Sequence, residues 1–551
     1  MDNKIGPALK TRMQSARPHD TFDVNIFMAG EPATIIDTFK DLDNNGDKSE
    51  TAVPEIDRTT VVERLQDHAA KKQEGVLKYL IGLGDSTNFV GYEKSVVVPK
   101  VNKIQSFWIN NAIGAEVTFD VLNELLARPD VVYIELTQRA EVRELLDVHE
   151  KDSSVGIAFT NTMFDVLSFI KEGGTFTAFG DGVLAETAQA TWSVKRVGAP
   201  LLWQLGIDGE GVVVAVIDSG VNYHHPDLKN RMWDGGAQFP NHGFDFGAVG
   251  TTEDNNPLDE GPQGGHGTAC AGIVAGDGTS GIRTGVAPGS RIMALRVDQE
   301  DRRYWNAFQF AMKQRVHVIS MSLTWQVDPS SDCLGWRRVC ESLLEAGILH
   351  ANSAGNAGGF ITTAEFKVPF NIGAPANCPP PRLHPLQSAP IGDGLHLSSV
   401  MSCGSTDEAD CLRPNSGRSP CAWESGTYTD FPFENGARPG LIKPDICAPG
   451  SRTDSCSWLF TGTTGKPYID FANTSCAAPH VAGCMALLAQ ACLDTGNPII
   501  PARVQEALEN TAVKIQGQQE RKEINFGAGR IDVFEAFKYG KDRGWWDLKK
   551  P

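Results

Sequence analysis

The first 269 residues of this 551-residue chain hold no cysteine; all 12 lie between Cys270 and Cys492. That excludes a small disulfide-stapled scaffold, and without a CxxC pair or clustered histidines a structural zinc site lacks a ligand set. The close pairs Cys333/Cys340, Cys411/Cys421 and Cys447/Cys456 suit short disulfide loops or reduced thiols, and spacing does not choose between them. Positive charge is in deficit, with 50 Lys and Arg against 68 Asp and Glu, for a formal charge of −18. No dense basic run offsets it, so the expectation is no nucleic-acid partner and no anionic membrane partner. The opening residues, MDNKIGPALKTRMQSARPHD, hold no apolar signal core. No stretch reads as a membrane-crossing helix. These absences favour a cytoplasmic protein, with export by another route as the alternative. No repeat of fixed period is found.

What is present is globular. Hydrophobic residues make up 41% and charged residues 21%, enough apolar mass for a sizeable core, and the length suits two or three domains. Up to about residue 148 the pattern alternates strand and helix. Phe22 to Met28, Val101 to Ile109 and Val131 to Glu135 read as strands; Val61 to Leu80 and Thr118 to Leu126 read as helices. Residues 149–189, punctuated by glycine pairs, read as a linker or processing region. From about residue 190 to 545 the composition changes. Val212 to Ile217 is a nearly unbroken β-branched run, which fits a parallel strand buried on both faces. Arg291 to Val297 and Val316 to Ser322 repeat the pattern. Helical stretches fall between and after, at Gly267 to Ala275, Trp305 to Gln314, Trp336 to Glu345, Ala477 to Ala491 and Pro501 to Glu509. The reading is α/β, a parallel sheet sandwiched by helices. Residues 375–429, rich in Pro, Gly and Ser, read as a loop insertion.

Three polar residues stand apart from their surroundings. Asp218 ends the apolar strand, His266 precedes a small-residue helix, and Ser475 enters another helix. Reactive groups in open α/β sheets collect at strand C-termini and adjoining helix N-termini. A serine hydroxyl needs a base to become a nucleophile, and His266 can serve. A carboxylate fixes the tautomer of that base, a role for Asp218. The helix N-terminus at Ser475 offers backbone N–H groups to a developing oxyanion, and Asn356, in a Gly-rich turn, can add a side-chain amide.

The order Asp, His, Ser and the surrounding motifs resemble the subtilisin-like serine peptidases, the subtilases. The motifs are VAVIDSGVNYHHPDL (214–228), GGHGTACAGIVAG (264–276), ANSAGNAGG (351–359), KPDICAPG (443–450) and NTSCAAPHVAG (473–483). The resemblance implies a serine endopeptidase acting on polypeptides through an acyl-enzyme, with Asp218, His266 and Ser475 as the triad and Asn356 as oxyanion donor. It implies that Ser322, Leu323, Thr324 and Trp325, with Ser353, Ala354 and Gly355 opposite, bind extended substrate and wall the P1 pocket. No cofactor is implied for the chemistry; structural calcium is a possibility. Three positions depart from the usual pattern: Asn473 where glycine is usual, Cys476 where methionine is common, and Thr324-Trp325 where many relatives have two glycines.

Residues 106–136 resemble the second half of a subtilase propeptide, which implies a ferredoxin-like α+β prodomain over residues 1–148, with Asp41 to Glu50 inserted. The implied product is an autoinhibited zymogen whose own N-terminal domain is its inhibitor, with self-cleavage within 136–190. A peptide ligase or transpeptidase on the same triad, and a catalytically silent binding scaffold, are the rival readings. Asp41, Asp43, Asn45 and Asp47 resemble the start of a calcium loop, but the position expected to supply its bidentate glutamate is Ala52. A solvated polar turn is the simpler reading, as it is for Glu253 to Glu260. His225 and His480, both beside prolines, read as structural, and Cys476 reads as a packing residue.

Overall fold

The computed structural model describes residues 2–549 except 31–57, 85–86, 91–95, 139–188, 248–251, 261–264, 299, 325–333, 359–367, 369–370, 380–397, 422, 426–427, 432, 435–437, 516 and 519–521. The N-terminal region runs β1 (Thr21–Met28), α1 (Arg58–Gly84), β2 (Val101–Phe107), β3 (Ala112–Thr118), α2 (Phe119–Ala127) and β4 (Val131–Leu136). These strands form an antiparallel sheet in the order β2-β3-β1-β4, so β1 pairs with β3 on one side and β4 on the other. The alternation along β1 decides what each face does. Phe22, Val24, Ile26 and Met28 enter a core with Val76 and Leu80 of α1 and Leu122 and Leu125 of α2. Asp23, Asn25 and Phe27 face the other way.

That second face does not meet solvent. It packs on two helices of the second region, α4 (Asp301–Lys313) and α5 (Leu334–Glu345). Phe27 and Phe107 meet the Trp305 ring at 6.1 and 5.2 Å in edge contacts. Gly335 lets that ring close in, because a Cβ there would stand 2.7 Å from the indole. The Arg302 guanidinium reaches Asn25 Oδ1 (2.7 Å), the Val24 carbonyl (2.5 Å) and Asp23 Oδ1 (2.8 Å). Helix α1 extends the contact. Arg58 donates to the carbonyls of Val316 (3.0 Å), Ala346 (3.1 Å) and Gly347 (3.1 Å), groups just past the C-termini of α4 and α5. A cation is favoured at such ends.

The second region is built on a seven-stranded parallel sheet. Its strands are β5 (Val213–Asp218), β6 (Gly243–Asp245), β7 (Arg291–Arg296), β8 (Val318–Met321), β9 (Leu349–Ser353), β10 (Met401–Thr406) and β11 (Ile446–Pro449). The spatial order is β11-β10-β9-β8-β5-β7-β6. Every pairing is parallel. Side chains alternate between two helix layers, as strands buried on both faces require. Val214 and Val216 pack with α3 (His266–Ala275) and α6 (Thr474–Asp494), whereas Ala215 and Ile217 pack with α4 and α5. The chain adds β7 on one side of β5 and β8 on the other. The C-terminal end of β5 is therefore the switch point where crevices form in open α/β sheets.

Two expectations are corrected. Helix α6 is long and apolar enough to cross a membrane by length and composition, though the sequence reading found no such stretch. It is 94% buried within the protein, so its apolarity serves the core. The expected loop insertion at 375–429 contributes β10, a strand of the main sheet. Eleven cysteines are described, all as free thiols, so Cys411/Cys421 and Cys447/Cys456 form no bridges; Cys333 lies outside the described residues.

Candidate active site

Asp218 is the last residue of β5 and His266 the first of α3, both buried. His266 Nδ1 lies 2.7 Å from Asp218 Oδ1. The same oxygen accepts the Ser219 backbone N–H at 2.8 Å. The approach needs glycine at 267, where a Cβ would meet the Gly220 carbonyl at 2.1 Å and Asp218 Cβ at 3.0 Å.

Ser475 lies in the first turn of α6. Its setting follows from Pro479, four residues on. A helical residue there would donate its N–H to the Ser475 carbonyl, and proline has none to give. The carbonyl instead accepts the Ser322 hydroxyl at 3.0 Å and lies 3.7 Å from the Cys270 thiol. Ser475 Oγ in turn donates to the Ser322 carbonyl at 3.4 Å. Cys270 Sγ is also 3.7 Å from Asp218 Oδ2 and 3.9 Å from His266 Nδ1. It touches all three elements. Burial, reinforced by the Asp218 charge, pushes the Cys270 thiol well up, so it stays protonated. Sequence reasoning did not single it out, although its place one helical turn after His266 puts it on that face.

Asn356 accepts two hydrogen bonds through Oδ1, from the Thr474 N–H (3.1 Å) and the Thr474 hydroxyl (2.8 Å). Its carbonyl oxygen is thus fixed beside the residue preceding Ser475, with the amide nitrogen on the opposite side of the group. Asn473, where glycine is usual, has φ 70° and ψ −167°, a backbone region that strains a side chain. Its Oδ1 accepts from Asn415 at 2.8 Å. Ser322, Leu323 and Thr324 leave β8, and the Leu323 carbonyl accepts from Asn352 at 3.1 Å. Ser353 ends β9 and leads into Ala354 and Gly355, where Gly355 has φ 87° and its carbonyl accepts from Gly417 at 2.8 Å. Trp325 lies outside the described residues.

His225 is used on both ring nitrogens: Nδ1 accepts the Asp227 N–H at 3.1 Å and Nε2 faces the Pro467 carbonyl at 2.8 Å. Asp227 in turn accepts from the Ser280 N–H and the Tyr468 hydroxyl, so both side chains are hydrogen-bonded within the protein. His480 Nδ1 faces the Cys476 carbonyl at 2.8 Å, and burial lowers its pKa to about 4. Cys476 is fully buried and its thiol is pushed up by desolvation. The calcium-loop candidates Asp41, Asp43, Asn45 and Asp47 lie outside the described residues. In the second acidic loop Asn256 accepts from Tyr223 (2.6 Å), Asn255 donates to the Gln238 carbonyl (3.0 Å), and Asp259 is buried.

Residues 209–529 match the peptidase S8, or subtilase, family. The chain is 28% identical over 352 residues to thermitase of Thermoactinomyces vulgaris, spanning 63% of this chain and 95% of that protein. It is 28% identical over 302 residues to the major intracellular serine protease of Bacillus subtilis, spanning 54% and 73%. It is 25% identical over 487 residues to subtilisin E of Bacillus subtilis, spanning 87% and 95%.

Proposed function

Because this chain belongs to the subtilase family and is a serine endopeptidase, we propose that Asp218, His266 and Ser475 are its catalytic triad and Asn356 its oxyanion donor. Ser475 Oγ attacks the scissile carbonyl while His266 Nε2 takes its proton. Asp218, bonded to Nδ1, holds the tautomer and stabilises the imidazolium. The Asn356 amide and the backbone N–H at Ser475 bind the oxyanion. The imidazolium then protonates the leaving amine, and water, activated by the same imidazole, releases the acyl group. Subtilases need no cofactor for catalysis. The observation that carries the reading is the 2.7 Å His266–Asp218 bond, with Cys270 touching both side chains and the Ser475 carbonyl.

Substrate would lie extended between Ser322–Thr324 and Ser353–Gly355, and the side chains of Thr324 and Trp325 would narrow the P1 pocket. Cleavage of a P1-varied peptide library is then restricted, and even tolerance across the library contradicts it. The N-terminal region is read as a ferredoxin-like inhibitor in cis, retained at high effective concentration. Two observations support this: the order β1-α1-β2-β3-α2-β4 is that of a split βαβ domain, and the alignment to subtilisin E, at 87% of the chain, is too long to lie wholly beyond residue 209. Self-cleavage would fall within 136–190. Intact-mass measurement of the wild type and Ser475→Ala tests the whole reading. Cleavage in that interval by the wild type alone supports it; identical products from both refute it.

A further inference from the structure

We propose that Asp259, a buried carboxylate outside the triad, is a positioning residue that locks the Asp218 loop to the helix carrying His266. The proposal rests on the triad reading above. Asp259 sits in the loop between β6 and α3 and is 2% exposed. Its Oδ1 accepts the Ser219 hydroxyl at 3.0 Å. Its Oδ2 accepts the Thr268 backbone N–H at 3.0 Å and the Thr268 hydroxyl as well. One side chain therefore holds the residue after Asp218 and the residue two beyond His266.

Each partner passes the constraint on. Ser219 Oγ accepts the Gly267 N–H at 2.9 Å, and Thr268 Oγ1 accepts the Asn222 N–H at 2.9 Å. The Ser219 N–H bonds to the very oxygen of Asp218 that faces His266. The first N–H groups of a helix have no partner within it. In α3 the N-cap is Gly265, which has no side chain to supply one. Ser219 Oγ and Asp259 satisfy Gly267 and Thr268 from outside the helix, so the cap of α3 and the brace of Asp218 are one network. The backbones are pressed together as well: at Gly220 a Cβ would stand 3.0 Å from the Asp259 backbone and 2.7 Å from the Pro257 carbonyl.

Two consequences follow for catalysis. The network fixes where the imidazole stands relative to Asp218, and a displacement of about 1 Å in such a group is worth on the order of 100-fold in rate. Burial raises the Asp259 pKa while its bonds from Thr268 lower it; in its ionised form the carboxylate adds to the negative charge of Asp218 behind the ring, which favours the imidazolium. Neither effect involves the substrate, so both belong to turnover and not to binding.

The test is peptide hydrolysis by the full chain, with rates per active site counted by titration and followed against pH. Asp259→Asn presents an N–H2 to groups that are all donors. The expected result is kcat lower by roughly 10–100-fold, KM within about twofold, and the acid limb of kcat/KM moved to lower pH because the imidazolium has lost a stabilising charge. Thr268→Val, which keeps the carboxylate but removes one of its partners, is expected to lower kcat less, and the double variant to fall well short of the product of the two single effects. Should Asp259→Asn fail to fold, Thr268→Val and Ser219→Ala carry the test, each lowering kcat at unchanged KM. Wild-type kcat and an unmoved acid limb in Asp259→Asn overturn the proposal, as does full independence of the two substitutions. Failure of the triad reading looks different: activity would then survive Ser475→Ala, whatever Asp259 does.

Discussion

Replacing Arg302 by methionine should unlatch the N-terminal region from the peptidase. The guanidinium is nearly buried, with 5% of its side chain exposed, and it serves three acceptors on β1: Asp23, the Val24 carbonyl and Asn25. Methionine keeps much of the stem but leaves those acceptors without their donor. Breaking a buried charge pair from one side costs about 3–5 kcal/mol. Asp23 is 29% exposed and recovers part of its share from water, so about 3 kcal/mol is the reasonable figure. At 1.4 kcal/mol per decade this raises the ratio of undocked to docked chains by about 100-fold. The aromatic contacts around Trp305 set the starting ratio but not the factor. If the N-terminal region covers the cleft, a fluorophosphonate should label Ser475 in the full-length variant about 100-fold faster than in the wild type. Gly114→Ala approaches the same notch from the other side, since a Cβ there would stand 2.5 Å from Arg302 Nε, and should act in the same direction. Equal labelling rates in wild type and Arg302→Met, with unchanged circular dichroism, would show that Arg302 does not latch the N-terminal region.

Acid should destabilise the folded chain through its neutral buried histidines. His317 accepts the Val213 N–H on Nδ1, and burial, followed by the nearby Arg58 charge, lowers its pKa to about 4. A histidine whose folded pKa lies below its unfolded value of about 6.5 costs no stability above that value. It costs progressively more as pH falls to the folded pKa, to a total of about 3 kcal/mol. Melting of Ser475→Ala, used to prevent self-digestion, should therefore fall between pH 6.5 and about 4, and His317→Gln should flatten that slope; an unchanged slope counts against it. Asn473→Gly should relieve about 1–3 kcal/mol of backbone strain at the cost of one bond to Asn415, raising Tm by a few degrees, and a lower Tm would show that the strain is not there.

The legible parts of the sequence were those whose periodicity matched their burial. Val212 to Ile217 read as a strand because both faces are covered, and α1 read as a helix with boundaries a few residues short. Strands β9 (LHANS), β10 (MSCGST) and β11 (ICAP) were not legible. They are short, small and polar, and what makes them strands is the partner backbone on each side. β10 fell inside the Pro- and Ser-rich stretch that looked like an insertion. The mixed face of β1, with Asp23 and Asn25, carries no apolar pattern that would mark it as buried, and only the docked α4 shows what Arg302 does there. The reactive residues were legible because they interrupt apolar or small-residue runs. Their supports were not: Cys270 looks like one more small core residue, and Asp259 like part of an acidic loop. The partners of Asp259 at Ser219 are 40 residues away, which no local pattern reveals.

In the proposed mechanism Ser475 becomes acylated with help from His266. Pre-steady-state hydrolysis of an activated ester, with the acylated chain digested and mapped by mass spectrometry, tests it most directly. The expected outcome is a burst approaching one leaving group per chain, the acyl group on the peptide containing Ser475, and no burst in Ser475→Ala or His266→Ala. A burst that survives Ser475→Ala, or an acyl group recovered on another residue, would contradict it.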